Sequence, residues 1–240
     1  EAIRPGLTPL QLDAIADEVI RDGGGTPNFI GVPGQLGPFQ HATCISIDDE
    51  VVHGIPDERV IEEGMMVSVD CGAEVDGWNG DSARTFLMGE VPEEKRRLSE
   101  VTRAGMLAGV RASVPGATLE DVAAAIEDVG LAAGYGIVRG YVGHGIGNEM
   151  HEEPQVTNYR TGRKGRKLEP GLCIAIEPMF TIGSYETRVK PDGWTVATAD
   201  GSLAAHWEHT VAITADGPRI LTLAAGELVE GLVPAVEASA

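Results

Sequence analysis

A carboxylate is costly inside a buried strand, and this chain places several within runs of strand-forming residues. Asp70 closes Met65-Met66-Val67-Ser68-Val69, and Glu177 closes Cys173-Ile174-Ala175-Ile176. Glu208 lies inside His206-Trp207-Glu208-His209-Thr210-Val211-Ala212-Ile213. Asp81 begins a strand-like stretch after a glycine-rich turn, and His144 sits between glycines in Gly143-His144-Gly145-Ile146-Gly147. Asp is disfavoured in strand interiors, and a lone buried charge must be paired, protonated or bound to a metal. Any fold open to this chain must supply those partners. Converging carboxylates repel one another, and divalent cations remove the conflict because each carboxylate has two oxygens to share. Four carboxylates and a histidine suit Mn, Fe, Co or Zn more than a thiolate site does. In two-metal sites the ions sit roughly 3.5–4 Å apart. Taken singly, each residue has an ordinary reading: a turn-forming Asp, a loop His, a solvated strand-end Glu, or a Glu208 paired with Arg84 or Lys190. The coincidence of five such positions carries the argument.

Composition narrows the setting. The 240 residues are 42% hydrophobic and 23% charged, which excludes a disordered chain. The net charge of −19, from 18 basic against 37 acidic residues, argues against a nucleic-acid site or an anionic membrane surface. Cys44, Cys71 and Cys173 are far apart in sequence and form no C-x-x-C, so a reducing compartment fits better than a disulfide framework. No apolar run is long enough to cross a bilayer, and the first residues lack a signal pattern. The expectation is a single cytoplasmic domain over residues 1–240, monomeric, with a flexible tail from about 225.

Thr8-Pro9 predicts a helix start, and Leu12, Ile15, Ala16, Val19 and Ile20 form one apolar stripe up to Gly23. Residues 25–41 read as loop. Residues 43–47 and 51–56 predict a hairpin about Asp48-Asp49. A strand over 65–70, a turn over 72–80 and a partner strand over 81–87 follow, so Asp70 and Asp81 would share a face if they are cross-strand neighbours. A second helix opens at Pro92, and a third runs from 119 to 133 behind a Thr118/Asp121 capping box. Glycine-punctuated strand and loop then lead to strands over 172–180, 194–199, 203–214 and 219–223. Clustered rather than alternating strands indicate an α+β fold. Arg160, Arg163, Lys164, Arg166 and Lys167 make a basic stretch in an acidic chain. It reads most simply as a solvated loop, with a transient ribosome contact as the alternative.

The segments Asp70…Gly80-Asp81-Ser82-Ala83-Arg84-Thr85, Gly143-His144-Gly145-Ile146-Gly147, Met150-His151-Glu152-Glu153-Pro154, Ile176-Glu177-Pro178-Met179 and Trp207-Glu208-His209-Thr210 resemble the bacterial type I methionine aminopeptidases. Cys44-Ile45-Ser46-Ile47…Val51-Val52-His53-Gly54-Ile55-Pro56 and Asp192-Gly193-Trp194-Thr195-Val196 match as well. The resemblance spans about residues 3–224, in the family's order. It implies a pita-bread fold with two pseudo-symmetric halves around a dimetal site, and removal of the initiator methionine from nascent proteins with a small second residue. It implies metal ligands at Asp70, Asp81, His144, Glu177 and Glu208, with Asp70 chelating and Asp81 and Glu208 bridging. Two divalent ions are expected: Co, Mn or Fe, with Zn a further candidate. Glu177 would serve as general base and acid, His151 would hydrogen-bond the scissile carbonyl, and His53 would contact the peptide nitrogen. Cys44, Phe39, Met150 and Trp194 fall at pocket positions.

This chain departs from the family at several places. Phe39 stands where a tyrosine is expected, Met150 where an aromatic is common, and His206 where glutamine is frequent. Val52, directly before His53, occupies a position where some relatives have cysteine. The 25 residues between His151 and Glu177 leave no room for the helical insertion of type II enzymes. Two rivals stand beside this reading: a proline-specific aminopeptidase of the same fold, and a non-catalytic binding module. Without the resemblance, the residues alone reach a dimetal hydrolase, with phosphoesters open as substrates.

Overall fold

The computed structural model describes residues 2–224 and 226–234. Helix α1 (Pro9–Asp22) starts at Thr8, whose hydroxyl accepts from Gln11 N while the Gln11 side chain accepts from Thr8 N, satisfying two helix-end donors. Strands β1 (Thr26–Pro27), β2 (Thr43–Ile47), β3 (Glu50–Val52), β4 (Met66–Val75) and β5 (Trp78–Leu87) follow. Helices α2 (Glu93–Ala112) and α3 (Leu119–Ala133) separate these from the second half. At the α3 start the Asp121 carboxylate accepts from both the N–H and the hydroxyl of Thr118. The second half holds β6 (Gly136–Ile137), β7 (Gly143–Gly145), β8 (Glu152–Val156), β9 (Cys173–Ile176), β10 (Met179–Thr181) and β11 (Thr187–Val189). It continues with β12 (Val196–Thr198), β13 (Ala204–His206), β14 (His209–Thr214), β15 (Gly217–Ile220) and β16 (Val233–Pro234).

In the first half β4 pairs with β5 along its whole length and with β2 and β1 in tandem on its other edge. The second half is built on a six-stranded sheet in the order β16-β15-β14-β9-β7-β8, with smaller sheets β13-β10-β6 and β11-β12-β3. Ile174, Ile176, Val211 and Phe180 share the largest core with Met106, Val110, Val122 and Ile126 of the two helices. Gly105 and Gly109 let α2 approach closely, since a Cβ there would stand 2.8 Å from Phe180 and from Ile126.

Several sequence expectations need correction. β3 does not continue a ladder with β2; it pairs with β12. The turn holds Asp48 at φ 55° and directs Ile47 N to the Glu50 carboxylate; beyond it Ile45 N donates to Gly54 O and Gly54 N to Ser46 Oγ, with no paired ladder between the two segments. The stretch 72–80 is strand, not turn: the hairpin reverses only at Asp76-Gly77, and Asp81 lies inside β5 rather than at its start. Gly72 marks a close approach there, because a Cβ would run into Asn28 and Phe29. The run 203–214 breaks at Trp207-Glu208, where the chain leaves the β13-β10-β6 sheet for the six-stranded one. The flexible tail expected from about 225 falls partly on residues outside those described. Within it, Glu227 pairs with Arg84 and Arg103, and Val229 is buried. No helix among the described residues is long and apolar enough to cross a membrane.

Candidate active site

The register of one hairpin and two strand breaks assemble the site. Asp70 lies opposite Ala83 and Asp81 opposite Gly72, so the two carboxylates are diagonal neighbours on one face. Cys44 lies opposite Asp70 from the other side and shares that face. Glu177 occupies the break between β9 and β10, and Glu208 the break between β13 and β14. The breaks are adjacent, since His209 pairs with Ile176 and His206 with Met179. Both glutamates therefore sit where the chain passes between sheets and no ladder claims the local backbone.

Hydrogen bonds from β5 across to the second half fix the relative depth of these groups. Asp81 N donates to Thr210 Oγ1 at 2.9 Å, and that hydroxyl donates to Asp81 O at 2.9 Å. Glu208 N donates to Ala83 O at 2.9 Å, and Thr85 Oγ1 to His206 O at 2.7 Å. His144 is placed by its glycines. A Cβ on Gly143 would collide with Ala175 O, and one on Gly145 with Glu153 O, so β7 fits between its neighbours only without side chains there. Nδ1 of His144 lies 2.9 Å from Gly145 O, which favours a proton on that nitrogen and frees Nε2, 3.7 Å from Glu177 Oε1.

The ligand atoms of Asp81, His144 and Glu208 all lie within 4.8 Å of one another. Asp70 Oδ1, Asp81 Oδ1 and Glu208 Oε1 are buried without a hydrogen-bond partner. Burial, then the charges of Asp81 and Glu177, push Asp70 well above the ordinary carboxylate range. Burial, then Asp81, does the same to Glu177, and burial with the other three carboxylates does so to Glu208. Burial raises Asp81 to about 7. Orphaned oxygens with so high a proton affinity want a cation, and oxygen donors with one imidazole fit a divalent metal. Neither Arg84 nor Lys190 compensates Glu208: Arg84 pairs with Glu227 and Lys190 with Glu50.

All the residues predicted for the site line one cleft of about 150 Å³: Asp70, Asp81, His144, Glu177 and Glu208 with His53, His151, Phe39, Cys44, Met150 and Trp194. Phe39 meets Trp194 edge-on at 5.0 Å, and His144 lies 4.4 Å from His151 between ring centroids. Burial, then the charge of His151, lowers His53 to about 4, and burial lowers His151 as well, so both rings are neutral near pH 7. His53 is held at φ 57°, a strained conformation for a non-glycine residue, with its ring edge-on to Tyr141 at 5.4 Å. Phe29 and Val32 also line the cleft, from the stretch 25–41 that the sequence predicts only as loop. Their only local signal is two apolar residues in a Gly/Pro-rich run. Tyr141 was likewise missed; it lines a second groove, of about 460 Å³, which shares His53, His144, His151 and Glu177 with the cleft.

The model for metallopeptidase family M24 matches residues 1–215. Methionine aminopeptidase 1 of Mycobacterium tuberculosis is 51% identical over 229 residues, 92% of this chain and 85% of the relative. The methionine aminopeptidase of Clostridium acetobutylicum is 47% identical over 224 residues, 93% of this chain and 88% of the relative. The crystal structure of methionine aminopeptidase from Thermotoga maritima superposes with a TM-score of 0.88 at 41% identity, covering 92% of this chain and 88% of that one. With its pita-bread fold and clustered carboxylates, the chain belongs to metallopeptidase family M24, among the methionine aminopeptidases.

Proposed function

We propose that the chain removes the N-terminal methionine from nascent proteins whose second residue is small. The carrying observation is the meeting of orphaned carboxylates and neutral histidines with an apolar cleft on one side and a groove on the other. Asp70, Asp81, His144, Glu177 and Glu208 would hold two divalent ions, Co, Mn or Fe, with Zn a further candidate. Bound, such metals supply Lewis acidity and a water of lowered pKa.

The remaining chemistry belongs to the chain. Glu177 accepts the proton of the attacking water and returns it to the leaving amine, as general base and then acid. His151 donates a hydrogen bond to the scissile carbonyl oxygen, where negative charge develops. His53 contacts the peptide nitrogen on the substrate side. Phe39, Cys44, Met150 and Trp194, together with Phe29 and Val32, receive the methionine side chain, with soft contacts to its sulfur. The second groove carries the remainder of the substrate. We assign the activity to the cytoplasm and to one monomeric catalytic domain over residues 1–240, with loop 160–167 as the candidate ribosome contact.

The deciding experiment is hydrolysis of Met-Ala-Ser by protein reconstituted with Mn, Fe or Co, beside an Xaa-Pro peptide and Glu177→Ala. The wild type should strongly prefer Met-Ala-Ser, and Glu177→Ala should lose at least about 100-fold in kcat. Preference for Xaa-Pro would move the assignment to the proline-specific enzymes. Undiminished activity in Glu177→Ala would refute the mechanism, and failure to bind any supplied divalent metal would point to a non-catalytic module.

A further inference from the structure

His206 is a buried imidazole with no job in the chemistry above. Its ring is 2% exposed, and its Nε2 has no hydrogen-bond partner. Leaving such an atom unsatisfied is costly in a buried site, so the position needs an explanation. The backbone leaves the ring little freedom. His206 N donates to Thr85 Oγ1 at 3.2 Å, His206 O accepts from the same hydroxyl, and β13 pairs His206 with Met179, two residues beyond Glu177. This anchoring brings Nε2 to 3.8 Å from Glu177 Oε2.

The Glu177 carboxylate is thus flanked by two imidazoles. His144 Nε2 stands 3.7 Å from Oε1, and His206 Nε2 stands 3.8 Å from Oε2. On the main-chain side, Asn158 Nδ2 donates to Glu177 O at 3.1 Å, holding the residue in the break between β9 and β10. Asn158 fixes the backbone, which leaves the side-chain torsions to be fixed by something else. Catalytic hydrogen bonds are often long in an empty site and tighten when it is loaded.

We propose that His206 is a positioning residue for Glu177: its Nε2–H donates to Oε2 in the loaded site, fixing the carboxylate plane so that Oε1 faces the reacting centre. The inference rests on the assignment of Glu177 as general base. A neutral donor suits this task, because it restrains the carboxylate without the full charge of a guanidinium or ammonium, which would suppress its basicity. Any side chain that reaches the same point with an N–H should substitute; an apolar one of similar volume should not.

The test compares His206→Gln, His206→Leu and His206→Met with the wild type, each reconstituted with Mn(II). Steady-state kinetics on Met-Ala-Ser, Mn(II) titration calorimetry and thermal melts are recorded for each. Leu and Met should lower kcat by about tenfold to hundredfold, the loss expected for a hydrogen bond to a charged group, with KM within about twofold. They should also weaken Mn(II) binding, because the ligand Glu177 is no longer held. Gln should recover most of both. Two apolar variants are included so that a folding failure of one leaves the other informative. Wild-type kcat in Leu or Met, an effect confined to KM, or equal impairment of Gln and the apolar variants would each overturn the proposal. Glu177→Ala in parallel separates the two levels: if it stays active, the general-base assignment falls. If it is inactive while His206→Leu is normal, only the positioning role falls.

Discussion

Asp81 sets the conditions under which its neighbours can be charged. Its pKa of about 7 lies far above the ordinary aspartate value near 3.9, because burial strips water from the carboxylate and the hydrogen bonding to Asp70 and Ser82 offsets only part of that. The sign of the stability effect follows. A group whose pKa is raised by folding contributes its full stabilisation below the unfolded value and loses it as pH rises through the folded value. Through Asp81 the metal-free protein should therefore lose stability between about pH 4 and pH 7, by an amount on the order of a few kcal/mol, and the raised Asp70, Glu177 and Glu208 act in the same direction. Divalent metal, binding only the folded site, should remove that loss. Asp81→Asn is expected to raise the Tm of the metal-free protein at pH 8 by several degrees while abolishing metal binding and activity. Melts in EDTA from pH 4 to 8 check this; a flat wild-type profile would contradict it. The residue types were legible in sequence, because carboxylates beside Val69 and Ile176 defy strand preference. Their mutual distances were not, since those depend on register.

Helix ends are local, and the sequence named them correctly: Thr8 before α1 and Thr118 with Asp121 before α3, whereas of the α1 stripe only Leu12 is buried and Ile15 and Val19 face solvent. Strands behave differently. Met179 and His206 are partners although 27 positions separate them, and nothing near either residue states that pairing. The breaks at Glu177-Pro178 and Trp207-Glu208 were accordingly read as strand ends or strand interior rather than as crossings between sheets. Gly145 gives this point an experimental form. Its missing Cβ lets β7 lie against Glu153 O, so Gly145→Ala must push the strand and His144 aside. A cost of about 1–3 kcal/mol is expected from overpacking, read as a lower urea midpoint, together with weaker metal binding. An unchanged midpoint would show that β8 yields freely.

Across the molecule, the two halves close on each other through Asp81–Thr210, Ala83–Glu208 and Thr85–His206. The net charge of −19 is offset locally at one exposed loop. Glu120 accepts from Thr161 N, Thr161 Oγ1 and Gly162 N, while Arg160 is taken up by Glu127 and Asp128. That bracing presents Arg163, Lys164, Arg166 and Lys167 to solvent. Reversing these four charges should abolish cosedimentation with ribosomes at low salt and leave Met-Ala-Ser hydrolysis intact; unchanged cosedimentation would assign the loop to plain solvation. The sequence by itself determined the helices and the α+β class, and it singled out five acidic and histidine positions as candidates, because periodicity, capping and the cost of burying charge act over a few residues. The tertiary structure alone decided that Asp81 lies within β5, that β3 joins β12, and that Phe29, Val32 and Tyr141 reach the site. It also set His206 behind Glu177. Those facts follow from register and from contacts between distant segments, which no short stretch of chain encodes.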